Sequence, residues 1–154
     1  MSKVYPLDVL QKEIARQRTQ GRTVVFTNGC FDLLHPGHIK ILEYAKSKGD
    51  HLVVGLNSDT SIRTLKGPSR PVLPQTARGR ILSAIEYVDY IVIFEEETPY
   101  RIIETLKPDY LVKGGDWNQE KIVGRDLVKE VFRVPLEEGF STSAIIDTIC
   151  HRHG

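Results

Sequence analysis

Residues 23–38 read TVVFTNGCFDLLHPGH. The run Thr23 to Thr27 is rich in β-branched residues, and a polar, glycine-bearing segment follows it at once. Such a run reads as a strand buried on both faces of a parallel sheet. Pro36 favours the first turn of a helix and holds His35 extended. Gly37 removes a side chain where a ligand would approach the backbone. His35 and His38 are three residues apart, so a helical turn sets both imidazoles on one side. Unpaired N–H groups and the positive end of the helix point the same way. The expected result is an anion site with two added ring donors, both imidazoles being neutral beside the helix charge. Two other readings exist. One is a pair of solvated histidines at an ordinary helix start. The other is metal binding, although the helical two-histidine zinc motif uses i, i+4 spacing and a glutamate. Neither accounts for Gly37 together with the preceding strand.

The rest of the chain continues the alternation. Strands are expected at Thr23–Thr27, His51–Leu56, Tyr90–Phe94, Tyr110–Val112 and Val131–Val134. Helical stripes are carried by Leu7, Leu10 and Ile14; by Ile39, Leu42 and Ala45; by Ile81, Leu82, Ile85 and Val88; by Ile102, Ile103 and Leu106; and by Ile145, Ile146 and Ile149. This order implies right-handed crossovers and an open parallel sheet with helices on both faces. Lys66 to Pro74 holds three prolines and reads as a loop, long enough to act as a lid. Ligands of open α/β sheets bind beyond the carboxyl ends of the strands, where strand order reverses. The segments to inspect are therefore those that follow each strand.

Composition narrows the function classes. The 154 residues suit one domain, expected over 1–154 with a core at about 22–150 and an N-terminal helix at 6–20. A formal charge of +1 argues against a broad nucleic-acid or membrane surface. Cys30 and Cys150 form no CxxC pair. No apolar run approaches the ~20 residues of a membrane helix, and the N-terminus lacks the apolar core of a signal peptide. The expectation is a cytoplasmic protein. Neither GxxxxGK[ST] nor GxGxxG occurs, which sets aside P-loop and dehydrogenase-type nucleotide sites.

His35-Pro36-Gly37-His38 resembles the HxGH motif of the nucleotidyltransferase superfamily, and Ser141-Thr142-Ser143 resembles its second signature. The stretches GCFDLLHPGH, VVGLNSD, LKGPSRPV, EYVDYIVIFEEETP, PDYLVKGGDW and EGFSTS extend the likeness from Val24 to Ile149. Together they are similar to the adenylyltransferases acting on D-glycero-D-manno-heptose 1-phosphate. The resemblance implies a Rossmann-like five-stranded sheet of order 3-2-1-4-5. It also implies an enzyme that transfers AMP from ATP to the sugar 1-phosphate, releasing pyrophosphate and giving ADP-heptose for lipopolysaccharide or other surface glycans. It further implies magnesium (Mg2+) with ATP, a separate heptose kinase, and a homodimer or higher homo-oligomer. Glycerol-3-phosphate cytidylyltransferases, which use CTP, are the alternative. They carry Arg-Thr-Glu-Gly before the second signature, where this chain has Leu136-Glu137-Glu138-Gly139. A nucleotide-binding module without turnover is the alternative of another class.

The resemblance assigns the catalytic roles to His35, His38, Lys66 and Arg78. Arg70 is a candidate for the sugar phosphate. Without the resemblance, Lys66 reads as a solvated loop lysine. Ser141, Thr142 and Ser143 suit the outer phosphates or simply cap a helix. Asn28, Gly29, Cys30, Phe31 and Gly37 are expected to shape the nucleotide and acceptor pockets, with Cys30 a small filler rather than a nucleophile. Asp32 orients a histidine, coordinates magnesium or serves a turn. Gly114 and Asp116 meet the nucleotide or form a tight turn. Trp117 stacks on the base or packs, and Asp59 lines a pocket or caps a helix.

Overall fold

The structure is a computed structural model that describes residues 2–115 and 121–154. Five strands, β1 (Val24–Gly29), β2 (His51–Asn57), β3 (Tyr90–Phe94), β4 (Tyr110–Gly114) and β5 (Glu130–Val134), form one sheet in the order β3-β2-β1-β4-β5. All four pairings are parallel. The expected Rossmann-like architecture and strand order are therefore observed. The chain builds outward from β1 through β2 to β3, then returns to the other side of β1 for β4 and β5. The order reverses between β1 and β4, which places the crevice over the carboxyl ends of those two strands.

Strand alternation divides the apolar residues between two cores. On one face Val24, Phe26, Val53, Val92 and Leu111 pack with Leu10 and Ile14 of α1 (Leu7–Thr19) and Ile102, Ile103 and Leu106 of α5 (Tyr100–Leu106). On the other, Val25, Leu52, Val54, Leu56, Ile91 and Val112 pack with Leu42 and Ala45 of α2 (Pro36–Lys46) and Leu82 of α4 (Gln75–Ser83). Both faces are dry, as the unbroken Val and Ile runs required. Phe26 lies across Gly55 of β2: a Cβ there would sit 2.6 Å from the Phe26 ring, so the strand needs glycine at that point.

Three elements differ from the periodicity. Helix α3 (Asp59–Lys66), capped by the Ser58 hydroxyl accepting from the Ser61 N–H, is short and mostly exposed, and its polar sequence hid it. It runs to Lys66, so the proline-rich loop starts at Gly67. Helix α4 closes at Ser83. Ile85 and Val88 of the expected stripe follow it in successive i, i+3 turns that lead into β3. Helix α6 (Thr142–His153) forms as expected, yet none of its residues is buried, and Ile149 is 51% exposed.

The amino ends of the strands are closed by carboxylates. Asp89 Oδ2 accepts from the Leu52 N–H at 2.7 Å and from Lys46 Nζ at 2.6 Å. Asp109 Oδ2 accepts from the Val24 N–H at 2.8 Å. Each satisfies a donor that the ladder leaves unpaired at a strand start. Asp89→Ala is expected to cost about 1–3 kcal/mol, the penalty for orphaning a buried N–H. Urea denaturation measures it, with the midpoint falling and the slope unchanged.

Candidate active site

Helix α2 opens on its two histidines. His35 is the N-cap residue, with extended backbone (φ −140°, ψ 171°) and Pro36 following it. Its Nδ1 accepts from the Gly37 N–H at 3.1 Å. The His38 Nδ1 reaches back and accepts from the His35 N–H at 3.2 Å. The two rings thus make a reciprocal capping box of the kind usually built from Ser/Thr and Glu. A ring nitrogen that accepts from an amide carries no proton, so each neutral imidazole is the Nε2–H tautomer. The ring centroids are 3.8 Å apart. Burial lowers the His35 pKa. Burial, with the neighbouring His35 and Lys66 charges, lowers that of His38 to about 4. Both imidazoles are therefore neutral donors at pH 7. Gly37 permits this, because a Cβ there would lie 2.8 Å from the His35 ring.

A cavity of about 270 Å³ opens beside this turn on the α2 side of the sheet. It is lined by His35, Gly37 and His38, by the cations Lys66 and Arg70, and by Ser141, Thr142 and Ser143 at the start of α6. Three segments distant in sequence meet there. Lys66 ends α3, and Arg70 follows in the loop. The Arg70 Nε is buried without a hydrogen-bond partner, 3.6 Å from Asp32 Oδ2. In α6, Ser141 Oγ accepts from the Ala144 N–H at 3.0 Å, which is the capping role. The Thr142 hydroxyl donates to the Asp32 carbonyl at 2.7 Å, tying α6 to the loop after β1. The first turns of α2 and α6 thus line one cavity. Larger hollows occur elsewhere, including one of about 610 Å³ beside Val4 and Gly79, but it gathers none of these groups.

Two expected ligand contacts turn inward instead. Arg78 is 0% exposed. Its Nε donates to the Leu73 carbonyl, one terminal nitrogen donates to the Cys30 and Asn57 carbonyls, and the other to Asp59 Oδ1, at 2.8–2.9 Å. These bonds join the segments after β1 and β2 to the end of the proline-rich loop, so Arg78 does not line the cavity. Asp59 is its counter-ion and also accepts from the Gln75 N–H. Asp32, 1% exposed, accepts from the Val72 and Leu73 N–H groups at 2.7 and 3.0 Å. Both its oxygens are occupied, and no group of three His, Cys, Asp or Glu suited to a metal occurs among the described residues. The described side chains do not gather into a site for a protein-held magnesium ion, and Asp32 is an anchor for the loop.

The remaining residues frame the mouth. Phe31 and Leu33 hold positive φ of 48° and 49°, a strained backbone for non-glycine residues. The Phe31 ring fills the space beside Gly29, where a Cβ would be 3.0 Å from it, and contacts His38 at 5.4 Å between centroids. Burial raises the Cys30 pKa, which leaves a neutral thiol. Gly114 lets α2 approach, since a Cβ there would be 2.5 Å from Ile41. Asp116 and Trp117 lie outside the described residues. Leu136 and Glu137 stand where the cytidylyltransferases carry Arg-Thr. Leu136 is 68% exposed beside Gly115, and Glu137 pairs with Lys40 at 3.3 Å. Sequence reading missed Lys113, whose ammonium donates to Asn28 Oδ1 at the end of β1. Only its position late in a strand beside two glycines marked it.

The cytidylyltransferase-like family model matches residues 26–148. Over 152 residues the chain is 53% identical to the bifunctional protein HldE of Citrifermentans bemidjiense, covering 96% of this chain and 31% of that protein. Over 142 residues it is 54% identical to the bifunctional protein HldE of Wolinella succinogenes, covering 92% and 30%. The chain thus spans about a third of the length of the curated relatives it matches. The crystal structure of a lipopolysaccharide core biosynthesis protein from Thermoplasma volcanium superposes with a TM-score of 0.66 at 28% identity, over 77% of this chain and 100% of that one. A pantoate-beta-alanine ligase from Francisella tularensis shares the fold, with a TM-score of 0.67 at 14% identity, over 90% of this chain and 68% of that one.

Two outcomes are expected from this geometry. Arg78→Met orphans three carbonyls and the Asp59 carboxylate, and should cost about 3–5 kcal/mol in urea denaturation; Arg78→Lys should recover little, having lost the planar fork. The folded-state pKa of His38 lies below its unfolded value of about 6.5. The unfolded chain therefore takes up the proton first, and the stabilising contribution of His38 is complete above pH 6.5 and lost as pH falls toward 4. Nitrogen-15 NMR should show an Nε2–H ring titrating near 4, and His38→Gln should lessen the fall in stability between pH 7 and pH 5.

Proposed function

Because the chain belongs to the cytidylyltransferase-like family, we propose that it transfers AMP from ATP to the phosphate of D-glycero-D-manno-heptose 1-phosphate, releasing pyrophosphate and forming ADP-heptose. The observation that carries this reading is the single cavity shared by the HPGH turn, Lys66, Arg70 and the Ser141–Ser143 helix start. The substrate class comes from the motif resemblance, and a relative named as a lipopolysaccharide core biosynthesis protein is in keeping with it.

The chemistry follows from charge. A sugar phosphate has its second pKa at ~6, so it arrives as a dianion and needs no general base. One of its oxygens attacks the α-phosphorus, the bond to the bridging oxygen breaks, and the electron pair leaves with pyrophosphate. Positioning and charge stabilisation then dominate the barrier. The two Nε2–H donors address the α-phosphate and the bridging oxygen, where charge develops. Being neutral, they add hydrogen bonds without locking the product in place. Lys66, Arg70 and the first N–H groups of α6 receive the outer phosphates. Arg78 acts through the backbone, by fixing the Cys30 and Asn57 carbonyls. Magnesium belongs to ATP on this reading: among the described residues Asp32 is taken up by the loop, and Glu137, which lines the cavity, pairs with Lys40. On this reading the reaction takes place in the cytoplasm, where ATP is available, and a sugar kinase activity provides the acceptor.

A second reading, a CTP-dependent enzyme for glycerol 3-phosphate, draws on the family's description. Leu136 in place of the expected arginine disfavours it. Pyrophosphate release should be measured over ATP and CTP, each with heptose 1-phosphate and glycerol 3-phosphate. Turnover is expected with ATP and the heptose; turnover confined to CTP and glycerol 3-phosphate would replace the first reading with the second. Nucleotide binding without pyrophosphate from any pair would leave a binding module. His38→Ala should lower turnover by ~10²–10³-fold, the usual loss for one charge-stabilising donor, and near-normal turnover of a folded variant would remove His38 from the chemistry.

A further inference from the structure

Lys113 is a half-buried cation at the carboxyl end of β4. Arg78 pairs with Asp59, Arg70 with Asp32 and Lys46 with Asp89. Lys113 donates to the amide oxygen of Asn28, and no carboxylate pairs with it among the described residues. Burial lowers its pKa to about 8. An ammonium held this way is costly unless an anion joins it.

Its place in the sheet indicates which anion. Lys113 is the penultimate residue of β4 and shares the face of Leu111, while Asn28 shares the face of Val24 and Phe26. Both side chains therefore emerge on the α1/α5 side of the crevice between β1 and β4. The phosphate-binding cavity lies on the α2 side, with Ile41 and Gly37 in its wall. The Asn28 amide NH2 has no partner among the described residues, so an oxyanion beside Lys113 finds a cation and a neutral donor together. In an in-line displacement the attacking oxygen approaches from the side away from the leaving group. The α6 helix start and Lys66 occupy the leaving-group side. A dianion brought up to a triphosphate also needs a cation of its own, and Asp32 already offsets Arg70.

We propose that Lys113 and Asn28 form the subsite for the phosphate monoester of the acceptor, across β1 from the site for the triphosphate. This assignment rests on the nucleotidyltransferase reading, but not on the identity of the sugar. Lys113 is a specificity-determining residue on this account, and it is kept charged and half-buried at a cost in stability.

The test uses the whole chain with Lys113→Met and Lys113→Arg. Lys113→Met should raise the thermal midpoint, because it removes a half-buried charge that no carboxylate answers among the described residues. It should raise KM for the phosphate acceptor about 10–100-fold, the range for one hydrogen bond to a charged group, with KM for ATP nearly unchanged. Lys113→Arg should restore part of the acceptor affinity. Binding is read separately by calorimetry, titrating inorganic phosphate into protein saturated with α,β-methylene-ATP. Phosphate should bind the wild type and bind Lys113→Met at least about tenfold more weakly. Weaker nucleotide binding with an unchanged acceptor KM would move Lys113 to the nucleotide and overturn the proposal. Unchanged phosphate binding, or a lowered thermal midpoint, would overturn it too. Failure of heptose 1-phosphate as a substrate would sink the substrate assignment alone, since the phosphate titration does not depend on it.

Discussion

The site depends on two hydrogen bonds at the first turn of α2. The unpaired N–H groups there must be satisfied, and here imidazole nitrogens rather than hydroxyls or carboxylates satisfy them. That choice has chemical consequences. It fixes the tautomer, aims both Nε2–H groups outward, and makes protonation costly because a protonated Nδ1 cannot accept. Burial strengthens the last effect. Local folding and electrophilic function are thus one arrangement, and Pro36 and Gly37 are its conditions. Pro36 holds the N-cap residue extended; Gly37 leaves room for the ring that caps it.

Around that turn, buried polar groups do what an apolar core cannot. Nonpolar packing holds the sheet and its helices, yet it is indifferent to small displacements of the loops above. Arg78 binds carbonyls from the β1 and β2 exits, and Asp32 binds two amides of the 67–74 loop. Thr142 joins α6 to the same Asp32 backbone. Each contact is directional, so the loops occupy defined positions relative to the histidines. Lys66 precedes this anchored loop and Arg70 lies within it, and both line the cavity.

How much of this was legible in the sequence follows from the range of each interaction. The sheet and its order were readable, because buried parallel strands and the motif pair leave long apolar signals. The HPGH turn was readable because Pro, Gly and His each restrict the backbone or the chemistry locally. Arg78 was not: a guanidinium that contacts phosphate and one that ties carbonyls look alike until the partners, 5 to 48 residues away, are brought together. Asp32 was ambiguous for the same reason. Helix α3 was hidden because its stability comes from the Ser58 cap and the buried Ile62 rather than from a long stripe. Lys113 interrupts an apolar strand, and only the adjacency of β1 and β4 supplies its partner.

The distribution of charge across the crevice accounts for the unequal treatment of these cations. On the proposed reaction, a site meeting two phosphate substrates cannot be strongly cationic throughout, because product and pyrophosphate would then stay bound. Neutral imidazoles at the reacting centre avoid that problem, giving stabilisation where charge develops and little elsewhere. Full cations are set further out, and Arg70 is moderated by Asp32. Lys113 stands on the other side of the sheet, where burial lowers its pKa to about 8 and an arriving anion would raise it again. The cost of half-burying it is tolerable because the two apolar cores beneath carry the stability of the fold.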